Sequence, residues 1–279
     1  MKCISPITIK NPDGSGIMVV KCGRCLVCKD QRKKEWFVRI MCEVAYCDYT
    51  KFVTLTYDDE HLEDNELKHE HYQLFAKRLR KKLKNNKIKY YMCGEYGEEN
   101  YRRHFHCILL FYIKEEIKDL DLKKIIQSCW IYGYAHVDTV TPRRVMYCLN
   151  YMDKLMNKSA KKIKPYQRMS TALGDTYFND KKNQLGELGY ITYEGIKYDI
   201  PRYAKEKYPE EIKEKIAVKP LDEAYARKMA RLALEDLDSK ILLEKSTEEN
   251  VIALQKKKVI YLRGKQVIKN IESRRRKRK

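Results

Sequence analysis

Apolar and polar positions change period along this chain, and each period predicts an element. Over residues 51–57, Phe52, Thr54 and Thr56 fall on one face and Val53, Leu55 and Tyr57 on the other, as in a strand. Residues 89–95 and 104–112 have the same extended character, joined by a tight turn over 97–103. Residues 65–84 switch to helical spacing, with Leu67, Leu74, Phe75, Leu79 and Leu83 near one side and a dense basic surface opposite. Further helices are predicted over 30–45, 117–130 and 143–156, the last with Pro142 well placed at its start, and a short strand over 134–139. Helices and strands alternate around a tight central hairpin. That pattern predicts an α+β fold, a mainly antiparallel central sheet with flanking helices covering one face. Past residue 158 the pattern weakens to a hairpin over 189–200 turning at Glu194-Gly195, charged helices over 221–257 and a basic tail over 273–279. Three regions are expected: a Cys-rich knuckle and basic helix over 1–48, a core over 49–160, and a hairpin and helical extension over 161–279.

Two groups of polar residues interrupt these blocks. His104 and His106 flank Phe105 in a strand, so both imidazoles point to one face while Phe105 packs on the other. Two imidazoles on a rigid strand make half of a divalent-metal site. Glu95 returns beside His104 if the two strands pair, with Asp58, Asp59 and His136 as rivals for the third ligand. The plainer alternative is a histidine pair satisfied in the core or at the surface. Tyr147 and Tyr151 lie four apart on a helix stripe that Lys154 extends. Most such pairs are half-buried packing. Beside a metal, however, a tyrosine hydroxyl is a nucleophile and the ion polarises a phosphoryl oxygen.

Cys22, Cys25 and Cys28 form a Cys-x-x-Cys-x-x-Cys run, and Cys3 is the candidate fourth ligand of a structural Zn²⁺, brought in by a hairpin through 11–16. An iron–sulfur cluster has similar spacing needs, and reduced thiols in a loop are the ordinary alternative. Cys42, Cys93, Cys107, Cys129 and Cys148 sit in apolar contexts and are expected in the core. A formal charge of +20 points to polyanions without distinguishing an enzyme from a binder. No apolar run approaches a membrane span and no signal peptide opens the chain, so it is expected in the cytoplasm.

Taken in order, the motifs resemble the HUH endonucleases, and more closely the rolling-circle replication initiators of gokushovirus-type (Microviridae) single-stranded DNA phages. The resemblance rests on Cys22-Gly-Arg-Cys25-Leu-Val-Cys28 with Trp36 and Arg39, then Phe52-Val-Thr-Leu-Thr-Tyr57-Asp-Asp, 75–82, Gly94-Glu-Tyr-Gly97, the histidine pair and the tyrosine helix. It covers roughly residues 3–158. Arg103 replaces an expected proline, and residues 169–178 match the family's glycine-rich run only loosely. The resemblance implies a Mg²⁺ or Mn²⁺ ion on His104, His106 and Glu95, and a tyrosine attack on an origin phosphate that leaves a 5′-phosphotyrosine and a 3′-hydroxyl. Tyr151 would attack first and Tyr147 second, with the order left open, and Lys154 would stabilise developing charge. DNA is expected along the basic helix surface of Lys77, Arg78, Arg80, Lys81 and Lys82, with Arg102 and Arg103. The expected partners are the single-stranded origin, a host polymerase and, because no Gly-x-x-x-x-Gly-Lys-Ser/Thr loop is present, a host helicase in the host cytoplasm. The oligomeric state is left open. The alternatives are a transposase or relaxase with the same chemistry, a non-enzymatic basic zinc-knuckle protein, and a metal hydrolase.

Overall fold

The computed structural model describes residues 3–10, 14, 17–62, 66–84, 86–97, 101–154 and 163–213, with side chains at all of these except 17–19, 152–154 and 213. The expected helices over 221–257 and the tail over 273–279 lie outside the described residues. The chain divides into two compact units, one holding Met1–Arg32 and the other being Lys33–Ile216. The boundaries expected at 48/49 and 160/161 therefore do not coincide with the division between units.

In the first unit, β1 (Ile7–Lys10) pairs antiparallel with β2 (Ile17–Val20), with Ile7 opposite Val20. This hairpin returns the chain so that Cys22 sits beside Cys3.

The second unit is built on five antiparallel strands: β3 (Tyr49–Tyr57), β4 (Lys87–Tyr96), β5 (Arg103–Tyr112), β6 (Gly133–Asp138) and β7 (Tyr166–Met169). Their order is β6-β3-β5-β4-β7. Helices α1 (Leu26–Val44), α2 (His69–Lys82), α3 (Asp119–Cys129), α4 (Pro142–Lys154) and α5 (Asp175–Leu188) surround it, followed by the hairpin β8 (Tyr190–Tyr193) and β9 (Ile196–Asp199) and the short α6 (Arg202–Lys207).

Helices cover both faces of the sheet, where the sequence pattern led us to expect one. On one face Val53, Leu55, Phe105, Leu109 and Phe111 pack against Phe75 and Leu79 of α2 and Leu122 and Ile126 of α3. On the other, Phe52, Tyr91, Ile108 and Leu110 pack against α1, α4 and α5 through Ile40, Val145, Leu149 and Phe178. The cause is visible in β5, whose run Ile108-Leu109-Leu110-Phe111 is apolar at every position, the signature of a strand buried on both sides. Fully buried Leu55, Phe75 and Phe105 each contribute about 1.5–3 kcal/mol through area removed from water.

Residues 163–213 pack into this unit and share its core. Phe178, Leu185, Ile191 and Ile200 join the cluster around Phe37 and Ile40 of α1. The Arg39 guanidinium donates to the Leu173 carbonyl at 3.0 Å and lies between the rings of Trp36 and Tyr203, 4.3 Å from each. Buried Glu43 of α1 accepts from the Tyr112 hydroxyl, from Lys89 Nζ at 2.6 Å and from the Gly174 amide at 2.5 Å. Strand β7 and helix α5 were not anticipated from the sequence. β7 is a four-residue edge strand without apolar alternation, and α5 begins at Gly174, which offers no capping side chain.

Candidate active site

The β4–β5 pairing sets Glu95 opposite His104 and Cys93 opposite His106, while β3 sets Thr54 opposite His106 and Thr56 opposite His104. Directly paired residues share a face, so Glu95 and both imidazoles meet as the spacing anticipated. Glu95 Oε1 lies 2.6 Å from His104 Nε2 and 3.2 Å from His106 Nε2, and the two Nε2 atoms are 3.1 Å apart. Glu95 and His106 are buried.

The opposite ring nitrogen sets the tautomer of His104. His104 Nδ1 is 3.0 Å from the Arg102 carbonyl, which can only accept, so Nδ1 carries a proton. His106 Nδ1 is 3.1 Å from Thr54 Oγ1. Neutral His104 therefore presents its Nε2 lone pair to Glu95, and His106 does the same in the tautomer whose Nδ1 donates to Thr54. In those tautomers three electron-pair donors converge, a set that a cation resolves. Glu95 Oε2 is buried and has no hydrogen-bond partner, which fits the same group. Burial raises the Glu95 carboxyl, but the two imidazoles beside it outweigh burial and hold the group below its usual range. Together His104, His106 and Glu95 can hold a metal ion.

Helix α4 lies over β4 and β5 on this face. Thr141 Oγ1 accepts the Arg144 amide at 3.2 Å ahead of the first turn, and Pro142 opens the helix where no amide is needed. Val145, Cys148 and Leu149 are buried beneath it. Cys148 Sγ is 3.5 Å from Cys93 Sγ, so two thiols fill the space behind the His106 backbone, as expected of core cysteines. Tyr147 meets the His106 ring edge-on at 5.1 Å and Tyr151 stacks on it at 5.5 Å. Their hydroxyls are 2.5 Å apart. Tyr147 is 45% exposed and Tyr151 only 7%. Burial, then the bond to Tyr147, pushes the Tyr151 hydroxyl well above its usual pKa. The Lys154 side chain lies outside the described residues.

The rival ligands are engaged elsewhere. Asp58 binds His61 at 2.6 Å, Asp59 binds Arg102 at 2.5 Å, and His136 binds Asp138 at 3.0 Å.

The basic residues stand differently from expectation. Lys77, Arg78, Arg80, Lys81 and Lys82 ride on α2, which covers the sheet face opposite the histidine pair. Arg78 donates to the Cys129 carbonyl at 3.4 Å and Lys82 to Ser128 Oγ at 2.6 Å. The α2 surface thus does not flank Glu95, His104 and His106. Arg103 is also corrected. Only 1% exposed, it donates to the carbonyls of Glu66 and His61 and lies 4.2 Å over the Tyr57 ring, so a polyanion cannot reach it. Arg102 donates to the Tyr57 carbonyl at 2.8 Å.

In the first unit, Cys3, Cys22, Cys25 and Cys28 converge, with Sγ separations of 3.4 Å for Cys3–Cys22, 3.8 Å for Cys3–Cys25 and 3.9 Å for Cys22–Cys28. Burial raises the Cys25 thiol, but backbone hydrogen bonds from Ile4 and Cys28, then thiol contacts, bring it down to about 6. Burial pushes the Cys3 and Cys28 thiols up. The four sulfurs can hold one metal ion.

Thr54 was missed by sequence reasoning, because its role depends on a register between strands 52 residues apart. Removing a hydrogen-bond partner that orients a metal-ligating histidine typically weakens metal binding about 10- to 100-fold. The Thr54→Val variant is expected to lose Mn²⁺ affinity by that factor in calorimetric titration, with its thermal midpoint little changed. Unchanged affinity would remove Thr54 from the site.

The family model for replication-associated proteins of the ORF2 type matches residues 50–156. The chain is similar to three replication-associated proteins. It is 28% identical to ORF4 of Chlamydia phage 1 over 66% of this chain and 52% of the relative. It is 29% identical to VP4 of Bdellovibrio phage phiMH2K over 74% of this chain and 76% of the relative. It is 30% identical to ORF2 of Spiroplasma virus 4 over 66% of each. The chain thus spans about half the length of the Chlamydia phage relative. No solved structure matches.

Proposed function

The chain belongs to the replication-associated proteins of phages, and from that premise we propose that it starts rolling-circle replication by nicking single-stranded origin DNA through a tyrosine. The observation that supports this reading best is the meeting of His104, His106 and Glu95 on one sheet face with the Tyr147 ring against His106.

His104, His106 and Glu95 would hold Mg²⁺ or Mn²⁺, one carboxylate and two imidazoles suiting either ion, and the cation supplies Lewis-acid polarisation of the scissile phosphate. Thr54 and the Arg102 carbonyl keep both imidazoles aimed at that point. The tyrosine oxygen attacks phosphorus as the bond to the deoxyribose 3′-oxygen breaks. The phosphate becomes a 5′-phosphotyrosine ester, and the phenolic proton leaves as the 3′-oxygen gains one. Phosphodiester is exchanged for phosphodiester, so no nucleotide energy source is needed. Of the two hydroxyls, the half-exposed Tyr147 is open to an incoming strand and the buried Tyr151 is not. We therefore assign the first attack to Tyr147 and the second, which rejoins the ends, to Tyr151. This reverses the order taken from the resemblance.

The four cysteines would hold a structural Zn²⁺. Zn–S bonds of about 2.3 Å place tetrahedral thiolates about 3.8 Å apart. The sulfur separations of 3.4, 3.8 and 3.9 Å lie near that value. A host polymerase would extend the 3′-hydroxyl and a host helicase would open the duplex, in the host cytoplasm. No helix among the described residues is long and apolar enough to cross a membrane.

The test is incubation with Mn²⁺ and single-stranded oligonucleotides tiled across the parent genome, followed by polymerase extension. The expected result is cleavage at one sequence, with a 3′ end that is extended, and none in EDTA. A cut end that cannot be extended, or cleavage unaffected by EDTA, would overturn the proposal.

A further inference from the structure

The sheet face that carries His104 and His106 is exposed towards its β6 edge. Helix α4 covers β4 and β5 and reaches Phe52 of β3, while Thr54 and Thr56 of β3 are half-buried and Tyr134 and His136 of the edge strand β6 are exposed. The register runs Tyr134, Thr56, His104, Glu95 along one row and His136, Thr54, His106, Cys93 along the next. Paired residues share a face, so Tyr134 and His136 stand on the metal ligands' side. Tyr134 is 73% exposed, as is the His136 side chain, whereas Ala135 and Val137 between and beyond them turn into the α3 side of the core. β6 is held there by Gly133. Its φ is +142°, and a Cβ on it would collide with both the Asp58 amide nitrogen and the Thr56 carbonyl oxygen.

A single exposed aromatic is ordinary on a protein surface. This one differs by position. Tyr134 lies two inter-strand steps from His104, about 10 Å, in the same row as the carboxylate ligand. His136 is two residues along the strand, about 6.5 Å further on. The site binds a phosphodiester by the reading above, and the chain carries a formal charge of +20. A strand leaving the site across β3 would therefore meet two exposed rings rather than apolar side chains. Aromatic rings on an open sheet face are how proteins hold unpaired bases, since every base has a π-face.

We propose that this open face seats the nucleotides next to the scissile phosphate, with the Tyr134 ring stacked on a base and His136 beside it. The inference rests on the nicking reading for its ligand class. Tyr134 is a positioning residue, holding the strand so that the phosphate falls between the imidazoles and Tyr147. The occupant is single-stranded DNA; a second copy of the chain pairing along the β6 edge is the competing one.

The test compares the full-length protein with Tyr134→Ala and Tyr134→Phe. Fluorescence anisotropy measures binding to oligo(dT) and to an abasic oligomer of equal length, at fixed salt and without divalent metal so that nothing is cut. The wild type and Tyr134→Phe should prefer oligo(dT). Tyr134→Ala should lose about 5- to 150-fold in oligo(dT) affinity, leave abasic binding unchanged, and keep its thermal midpoint. Equal preference in Tyr134→Ala and wild type, or no preference in the wild type, would overturn the inference. A DNA preference untouched by Tyr134→Ala, with a dimer in the wild type that the variant loses, would give the face to a second copy. Wild-type nicking with an unaffected Tyr134→Ala would sink this inference alone. Lost base preference in a protein that never nicks would sink the nicking reading alone.

Discussion

The Tyr147→Phe/Tyr151→Phe double variant is expected to lose strand cleavage by on the order of 10⁴-fold or more, the scale seen when a nucleophile is removed outright. Phenylalanine keeps both ring contacts with His106, so the helix should stay seated and Mn²⁺ affinity should be unchanged. The single variants separate the roles. Tyr147→Phe should lose the first cut, because Tyr147 is the half-exposed residue of the pair. Tyr151→Phe should still cut but fail to rejoin ends. Single-turnover cleavage and circularisation assays read the two steps separately. Equal cleavage by the double variant and the wild type would mean that water is the nucleophile.

A large effect on stability is expected from Glu43→Ala. The Glu43 side chain is 0% and that of Lys89 only 11% exposed, with 2.6 Å between charged atoms. Removing one partner of a buried pair leaves the other charge without compensation, at a cost of about 3–5 kcal/mol. That is a large share of the roughly 5–15 kcal/mol by which a domain of this kind is stable. Lys89 would keep its bond to the Ala172 carbonyl at 3.1 Å and its position over the Tyr112 ring, neither of them a negative charge, and the Gly174 amide would lose its acceptor. Urea denaturation should show the loss as a lower midpoint, and Glu43→Leu/Lys89→Met should recover much of it. A loss under about 1 kcal/mol for Glu43→Ala would mean that water reaches the pair.

The candidate site was legible where its residues are local. Glu95 and His104 belong to one hairpin, and Tyr147 and Tyr151 to one helix, so period and spacing place each pair without knowledge of the tertiary structure. The Cys-x-x-Cys-x-x-Cys run and the hairpin that sets Cys22 beside Cys3 were legible for the same reason. Contacts between distant segments were not. Thr54 reaches His106 through β3, and Tyr134 joins the same face only through the β6–β3 register. The basic face of α2 was clear from its period, but nothing in 65–84 says which side of the sheet it covers. Arg103 gave a false signal, since a charged residue beside a turn reads as exposed, and only the fold shows its guanidinium bound to two carbonyls. The pairing of Glu43 with Lys89 was not legible, because each depends on a partner in another element.

The most direct test of a tyrosine-linked nick is mass spectrometry of the protein after reaction with a cleavable single-stranded oligonucleotide. Nuclease trimming and trypsin should release Val145–Lys154, a peptide that carries both tyrosines. The expected wild-type peptide carries an added nucleotide 5′-phosphate on Tyr147. Cleavage that leaves the peptide unmodified and a free 5′-phosphate on the DNA would contradict it.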